Sequence, residues 1–290
     1  MIYLPPDMDI LSPVDDHIFK TLLIHPDAKP ALIDLLSASI EWQVKDVIVR
    51  NNELPVTDND EKNERLDVNC ALDNGDQADM EMHGSRIQEF DDKHTSFVNK
   101  YIYYLTDLHS SQKSKGKKYH ELVRTYQITF CDYNIFPERK GYITRASLRT
   151  PRGKQITDQI NFILIELSKL EELLKKPVSK LTPLEMWSIF FKFASDVKHR
   201  DIVNKLFIER EEIAMAGALL MEISQDERER ARNRSRRMFE TDMDSNWLTA
   251  EARGKRERSL EIARELKNTG AEISYIAKLT RLTIAQVKEA

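Results

Sequence analysis

The spacing of apolar positions divides the chain into an α/β first part and a helical second part. Residues 1–13 contain three prolines and read as an irregular lead-in. In "DDHIFKTLLIHPDAKPALIDLLSASI", Ile18, Leu22 and Leu23, then Ala31, Leu32, Leu35 and Leu36, recur at helical spacing, with breaks near Pro26 and Pro30. Asp15 or Asp16 suits the first turn, where a carboxylate meets the positive end of a helix. "VKDVIVR" reads as a strand and "NNELPVTDNDEKNE" as a polar loop. Residues 92–112 place Phe97, Tyr101, Tyr104, Leu105 and Leu108 at helical spacing. "YQITFCDYNIF" is a strand ended by Pro137, and "INFILIELSKL" (160–170) is the near-continuous apolar run of a buried strand. From Pro183 the pattern is helical, through "LEMWSIFFKFA" and "DIVNKLFIEREEIAMAGALLMEI". A charged stretch, 222–263, then leads to two short helices, "SYIAKLTRL" and "IAQVKEA". The expected organisation is an α/β core over 1–170 and a mostly α-helical region over 171–290.

Between the polar loop and the residue-92 helix lies "LDVNCALDNGDQADMEMHG" (66–84), two alternating runs joined by a turn signature, Asp73-Asn74-Gly75-Asp76. Leu66, Val68, Cys70 and Leu72 share one face of the first run, and Met80 and Met82 alternate with Glu81 and His83 in the second. Parity ties the register to the loop length. A two-residue Asn74-Gly75 loop pairs Asp67 with Met82 and sends Asp67 and Glu81 to opposite faces. A three-residue loop, Asp73-Asn74-Gly75, pairs Leu72 with Asp76 and Asp67 with Glu81, and Gly75 is suited to its left-handed position. The three-residue loop is preferred, because it also gathers Leu66, Val68, Met80 and Met82 on one apolar face. Directly opposed residues have Cβ atoms about 4.5–5.5 Å apart.

Two carboxylates at that spacing repel, and a divalent cation removes the repulsion. Carboxylate oxygens plus water suit Mg²⁺ or Mn²⁺, which keep open positions for water or a phosphodiester. His83 shares a face with Glu81; it would orient or deprotonate water, or carry positive charge toward a phosphate. The plainer alternative makes Asp67 and Glu81 solvated residues on the open face of a hairpin, and Asp16 a helix N-cap.

Composition narrows the setting. The 290 residues have 41% hydrophobic content, which supports a packed core, and 32% charged content with a formal net charge of −4. Attraction to a polyanion must then come from local patches. Cys70 and Cys131 are the only cysteines, too few for a disulfide framework, and with no signal-like start or membrane-length apolar run a cytoplasmic location and no membrane are expected.

Five motifs in order give the chain a family resemblance. "LSPVDDHIFKTLL" resembles the first motif of the recombination-promoting nuclease/putative transposase family, a bacterial branch of the PD-(D/E)XK nucleases. The family's Asp on one strand and Glu-x-Gln on the next (Glu-x-Lys in the wider superfamily) correspond to Asp67 and Glu81-Met82-His83. "NKYIYYLTDLHSSQ" resembles its basic-x-x-Tyr-Tyr helix ending in Gln, which marks Lys100, Tyr103, Tyr104 and Gln112. "KGKKYHELVRTYQITFCDYNIF" resembles its Gly-x-x-Tyr-x-x-Leu segment and strand, and "INFILIELSKL" its apolar-Glu-Leu-x-Lys strand, with Glu166 and Lys169; the C-terminal tail also matches.

The resemblance implies a restriction-endonuclease-like αβββαβ core and metal-dependent DNA cleavage, linked to recombination and, more broadly, to mobile elements or phage defence. Cleavage of low sequence specificity is expected. It implies Asp67 and Glu81 as metal ligands with the Met82 carbonyl as a third, Asp16 completing the site, and Lys100 and Gln112 among the DNA contacts. The departures are His83, where the family has Gln or Lys, and Lys100, where it more often has Arg.

"KSKGKK" adds Lys113, Lys115, Lys117 and Lys118 as phosphate contacts, with a solvated loop as the equal alternative. "DERERARNRSRR" carries six arginines whose alternation splits them over two helix faces, which favours a solvent-exposed helix. "IAKLTRLTIAQV" resembles a helix-turn-helix with a Thr283/Gln286 capping box, and packing or homo-oligomer contact is favoured over base readout. The leading reading is a Mg²⁺-dependent DNA endonuclease. A catalytically degenerate relative that binds DNA or protein, and a pure interaction module, are the alternatives.

Overall fold

The computed structural model describes residues 2–50, 67–84, 93–112, 118–226, 230, 235 and 254–290. Its centre is a six-stranded mixed sheet of order β1-β2-β3-β4-β6-β5. The strands are β1 (Val47–Val49), β2 (Val68–Leu72), β3 (Gln77–His83), β4 (Thr125–Cys131), β5 (Ile143–Ser147) and β6 (Ile160–Glu166). β4 runs parallel to both β3 and β6, and the other pairs are antiparallel. The strand β5 was not anticipated: "ITRAS" has a single buried residue in five, as an edge strand allows.

Two helices precede the sheet. α1 (Asp16–Leu23) buries Ile18, Phe19, Leu22 and Leu23, and α2 (Lys29–Ile40) starts with a proline in its first turn, where the missing N–H costs nothing. After the sheet come α4 (Pro183–Phe193), α5 (Arg200–Glu209) and α6 (Glu211–Gln225); α3 (Lys93–Ser110) lies between β3 and β4. The strand alternation sorts these helices between the two faces. Val68, Cys70, Met80, Met82, Ile128, Phe130, Ile163 and Ile165 share one core with α1, α2, α4, α5 and α6. On the opposite face Cys131, Phe162 and Leu164 pack under Phe97, Tyr101 and Leu105 of α3.

That shared core corrects the expected domain boundary. Compact units run Met1–Arg230 and Ala231–Ala290, so the chain does not divide after residue 170. The reason is the apolar face of α4 to α6: wholly buried Trp187, Phe190, Phe191 and Leu220 complete the sheet's own core. Asp34 of α2 joins this layer, accepting from Trp187 Nε1 at 2.7 Å and pairing with Arg210. In the second unit, helical residues 254–268, Ile273–Thr280 and Ile284–Glu289 surround a small core of Ala263, Ile276 and Val287. The Thr283/Gln286 capping box is present there. No helix among the described residues is long and apolar enough to cross a membrane.

A buried polar pair shapes one end of the sheet. Glu166 Oε1 accepts the N–H groups of Ile135 (2.8 Å) and Phe136 (3.0 Å), while Lys169 neutralises its other oxygen at 2.7 Å. The loop after β4 is pinned by this pair. The arginine-rich segment 226–237 and residues 113–117 fall largely or wholly outside the described residues, as does Leu66.

Candidate active site

The β2–β3 turn carries its own instructions. Gly75 adopts φ 89, its N–H reaches Leu72 O at 2.9 Å, and Leu72 N–H reaches Asp76 O at 2.8 Å. Asn74 closes the loop through Asp76: its Oδ1 accepts the Asp76 N–H at 3.0 Å and its Nδ2 donates to Asp76 Oδ2 at 2.9 Å. The loop is therefore Asp73-Asn74-Gly75. The ladder runs Val68↔Met80, Asn69↔Asp79 and Cys70↔Ala78, which sets Asp67 opposite Glu81.

Each of these two carboxylates is anchored to the other's strand. Glu81 Oε1 accepts the Asp67 N–H at 3.0 Å, and Asp67 Oδ2 accepts the Met82 N–H at 3.2 Å. They line a cavity of about 190 Å³ with Asp16, Met82, His83, Gly84, Lys100 and Tyr104. The solvated-hairpin alternative does not fit this setting, because Glu81 is only 5% exposed under α3. Burial, then repulsion from Asp79 and Asp67, holds the Glu81 carboxyl well above the usual range. Burial is also the main reason that Asp67 is pushed up to about 6, against the Met82 N–H, which favours its charged form.

The approach of α1 explains why Asp16 reaches the cavity. Asp15 takes the capping role, accepting the N–H groups of His17 (3.0 Å) and Ile18 (3.2 Å). Asp16, one residue on, lines the cavity instead. This close fit depends on Gly84, where a Cβ would lie 2.1 Å from Val14 O.

The residues expected at the site divide at His83 and Gln112. His83 lines the cavity, but burial first and Lys100 second pull its pKa down to about 4, so it is neutral at pH 7 and supplies no charge to a phosphate. Its Nδ1 lies 3.4 Å from the Tyr101 hydroxyl, and its ring meets Phe97 and Tyr133 edge-on. The positive charge on the cavity wall belongs to Lys100, whose Nζ stands 5.0 Å from the Tyr101 ring and 5.3 Å from that of Tyr104. Gln112, expected among the DNA contacts, is buried at the other end of α3. Its amide accepts the Val123 N–H at 2.9 Å and donates to Val123 O and Thr125 Oγ1, standing in for a missing strand. Thr125 precedes Thr129, the neighbour of Glu81, by four residues of strand, about 13 Å. Lys118 is exposed at the start of the turn Tyr119–Glu121; Lys113, Lys115 and Lys117 lie outside the described residues.

Two residues in this neighbourhood escaped the pattern reading. Asp79, wholly buried, accepts from Gln127 Nε2 at 2.9 Å and is pushed up to about 7, mainly by burial. Strand parity was the available signal, since Asp79 and Glu81 are two apart and share a face. Lys20 acts electrostatically on Asp67 and Asp79, and it stands four residues after Asp16 on α1.

Residues 13–250 match the sequence model of the PD-(D/E)XK nuclease family transposases. The chain belongs to that family. No curated protein and no solved structure matches it. A nuclease family implies a DNA substrate, and PD-(D/E)XK nucleases generally use divalent metals.

The residues present fit such a metal. Among the described residues no three His, Cys, Asp or Glu side chains stand together as a ready-made metal cage. Mg²⁺ needs none, because it is commonly held by one or two carboxylates and completes its shell with water and phosphate oxygens. Two mutually anchored carboxylates whose burial makes their charge costly are a donor set of that type.

Proposed function

We propose that this PD-(D/E)XK family member is a divalent-metal-dependent DNA endonuclease of the recombination-promoting type, with low sequence specificity. The observation that carries the reading is the reciprocal anchoring of Asp67 and Glu81 at the floor of an open, polar cavity. The element order supports it: α2, β1, β2, β3, α3 and β4 follow the αβββαβ pattern of restriction-endonuclease-like cores.

Asp67 and Glu81 would hold Mg²⁺ or Mn²⁺, with the Met82 carbonyl as a third ligand. The cation, when bound, supplies a water of lowered pKa and stabilises charge on the phosphate. The chain's own residues do the rest. Lys100 presents its ammonium to the phosphodiester from the cavity wall, steadied there by the faces of Tyr101 and Tyr104. Asp16 offers a carboxylate to a cavity water, and neutral His83 orients water without adding charge. Lys118 contributes phosphate attraction, and the charge of Lys113, Lys115 and Lys117 in the same lysine-rich stretch adds to it. The second unit supports a homo-oligomer contact, since Tyr275 (57%), Leu279 (56%) and Ile284 (53%) are exposed on its helices. A cytoplasmic setting agrees with free, buried Cys70 and Cys131.

Plasmid nicking with Mg²⁺ or Mn²⁺ tests the reading. Wild-type nicking that disappears in Asp67→Ala and Glu81→Ala, and in EDTA, is the expected result; equal nicking by all three proteins would end it. One observation favours a second reading. The position of the family's Gln or Lys holds His83, ringed by Phe97, Tyr101 and Tyr133. A degenerate relative that binds DNA or a protein partner through the same surface would show salt-sensitive DNA affinity and no metal-dependent nicking.

A further inference from the structure

The sheet face under α3 is polar where it should be oily. Beside the β6 residues Phe162 and Leu164 it packs in the ordinary way against Phe97, Tyr101 and Leu105. Across β2, β3 and β4 it instead carries three polar rows: Gln77 beside Thr125, Asn69–Asp79–Gln127, and Glu81 beside Thr129. Asp79, Gln127 and Thr129 are wholly buried, and Asn69 and Gln77 nearly so. Inside this layer Gln127 Nε2 donates to Asp79 Oδ2. Among the described residues, five further oxygens have no geometric hydrogen-bond partner: Asn69 Oδ1, Gln77 Oε1, Asp79 Oδ1, Gln127 Oε1 and Thr129 Oγ1.

Left bare, five such atoms would consume much of a domain's net stability. The three amide oxygens can only accept, so their partner must donate hydrogen or carry positive charge. A single cation does not suit them. The rows are separated by about 6.6–7 Å along the strands and about 4.8 Å across them, whereas a Ca²⁺-sized ion gathers its oxygens at about 2.3–2.6 Å. Water fits, because each molecule donates twice and can bridge from row to row. The layer has two defined ends. At one is the Glu81 carboxyl in the catalytic cavity; at the other, Gln112, His109 and Thr125 close the layer with bonds of their own.

We propose that a file of bound water runs along this face against Gln77, Asn69, Asp79, Gln127 and Thr129, and that Asp79, within this file, positions Glu81. Asp79 is then a positioning residue and not a ligand, held by Gln127 on one oxygen and acting directly on the Glu81 carboxyl. The water file stands on the buried oxygens alone; the positioning role rests on the metal reading given above.

The test uses the full chain and the variants Asn69→Leu and Gln127→Met, which keep side-chain volume, with Thr129→Val as the mildest change. Slowly exchanging interior water is measured by ¹⁷O magnetic relaxation dispersion, and Mn²⁺ affinity by calorimetry. Wild type should show long-lived water, and Asn69→Leu/Gln127→Met should lower its amplitude by roughly a third or more. The same variant should bind Mn²⁺ about 10-fold more weakly, the usual cost of losing an outer-shell partner, with KM for DNA unchanged. No long-lived water in wild type, or the same amplitude in the variants, overturns the file. A lowered amplitude with unaltered Mn²⁺ affinity overturns the positioning role. A wild type that binds no Mn²⁺ at all brings down the metal reading, and the positioning role with it, while the dispersion result still judges the water.

Discussion

Asp67 and Glu81 hold one another across two strands, each carboxylate accepting an N–H from the strand that carries the other or its neighbour, at 3.0 and 3.2 Å. Neither side chain can swing away without releasing a backbone bond. The same bonds keep both oxygen sets at the cavity floor, where α3 and α1 limit their access to water. Pre-placement of this kind is what a carboxylate pair needs to take up a small cation without reorganising.

Removing either charge should therefore separate activity from stability. Asp67→Asn and Glu81→Gln are expected to lower metal-dependent nicking by at least about 100-fold, while circular dichroism shows the native fold. Retained nicking in both variants would rule out the pair as the metal site.

Metal-free stability should carry a pH signature at Asp67. Its pKa is raised to about 6 from an ordinary 3.8, so the folded state holds a proton that the unfolded chain releases near pH 4. The stabilisation from holding that proton is present at low pH and is lost as pH rises through 6. His83, pulled down to about 4, works in the opposite direction between pH 4 and 6.5, so a variant comparison is the cleaner measurement. In EDTA, Asp67→Asn should match wild type near pH 4 and exceed it at pH 8 by on the order of 3 kcal/mol, several degrees in Tm. Identical Tm differences at both pH values would remove the burial argument. Mn²⁺ binding must also expel protons, so its affinity should climb with pH through this range.

Gly84→Ala should damage the junction of α1 and β3. A methyl there would lie 2.1 Å from Val14 O, and backbone cannot yield as a flexible side chain does. The expected cost is about 1–3 kcal/mol or more in urea unfolding, with nicking lost because Asp16 shifts. An unchanged midpoint would show that the two segments separate freely.

Lys100 and Gln112 should part company in DNA binding. Lys100→Ala is expected to weaken DNA affinity and lower the slope of log affinity against log salt by about 1. Gln112→Ala should leave that slope alone and cost about 1–3 kcal/mol of stability, since it strands Val123 and Thr125 groups. A salt-slope change for Gln112→Ala would return it to the DNA surface.

The sequence was most readable where chemistry is local. Parity and the left-handed demand on Gly75 gave the hairpin register, and helical spacing marked the buried faces of α1, α2 and α3. It was misleading where burial decides. Gln112 looks like a surface amide at the end of a polar helix, yet it completes backbone bonding beside β4. His83 looks like a titrating histidine, yet three aromatic rings desolvate it. The boundary after residue 170 followed a change in secondary structure, whereas α4 to α6 belong to the sheet's core.

The sequence by itself determined the turn, the strand alternation and the helical stripes, because each follows from a backbone period or a single φ that only neighbouring residues need to satisfy. Tertiary structure decided which carboxylates are buried together, how completely Asp79 is buried, and that Lys100 lies on the cavity wall. Those outcomes depend on desolvation and on charges brought close by folding from distant parts of the chain, and no local pattern records them.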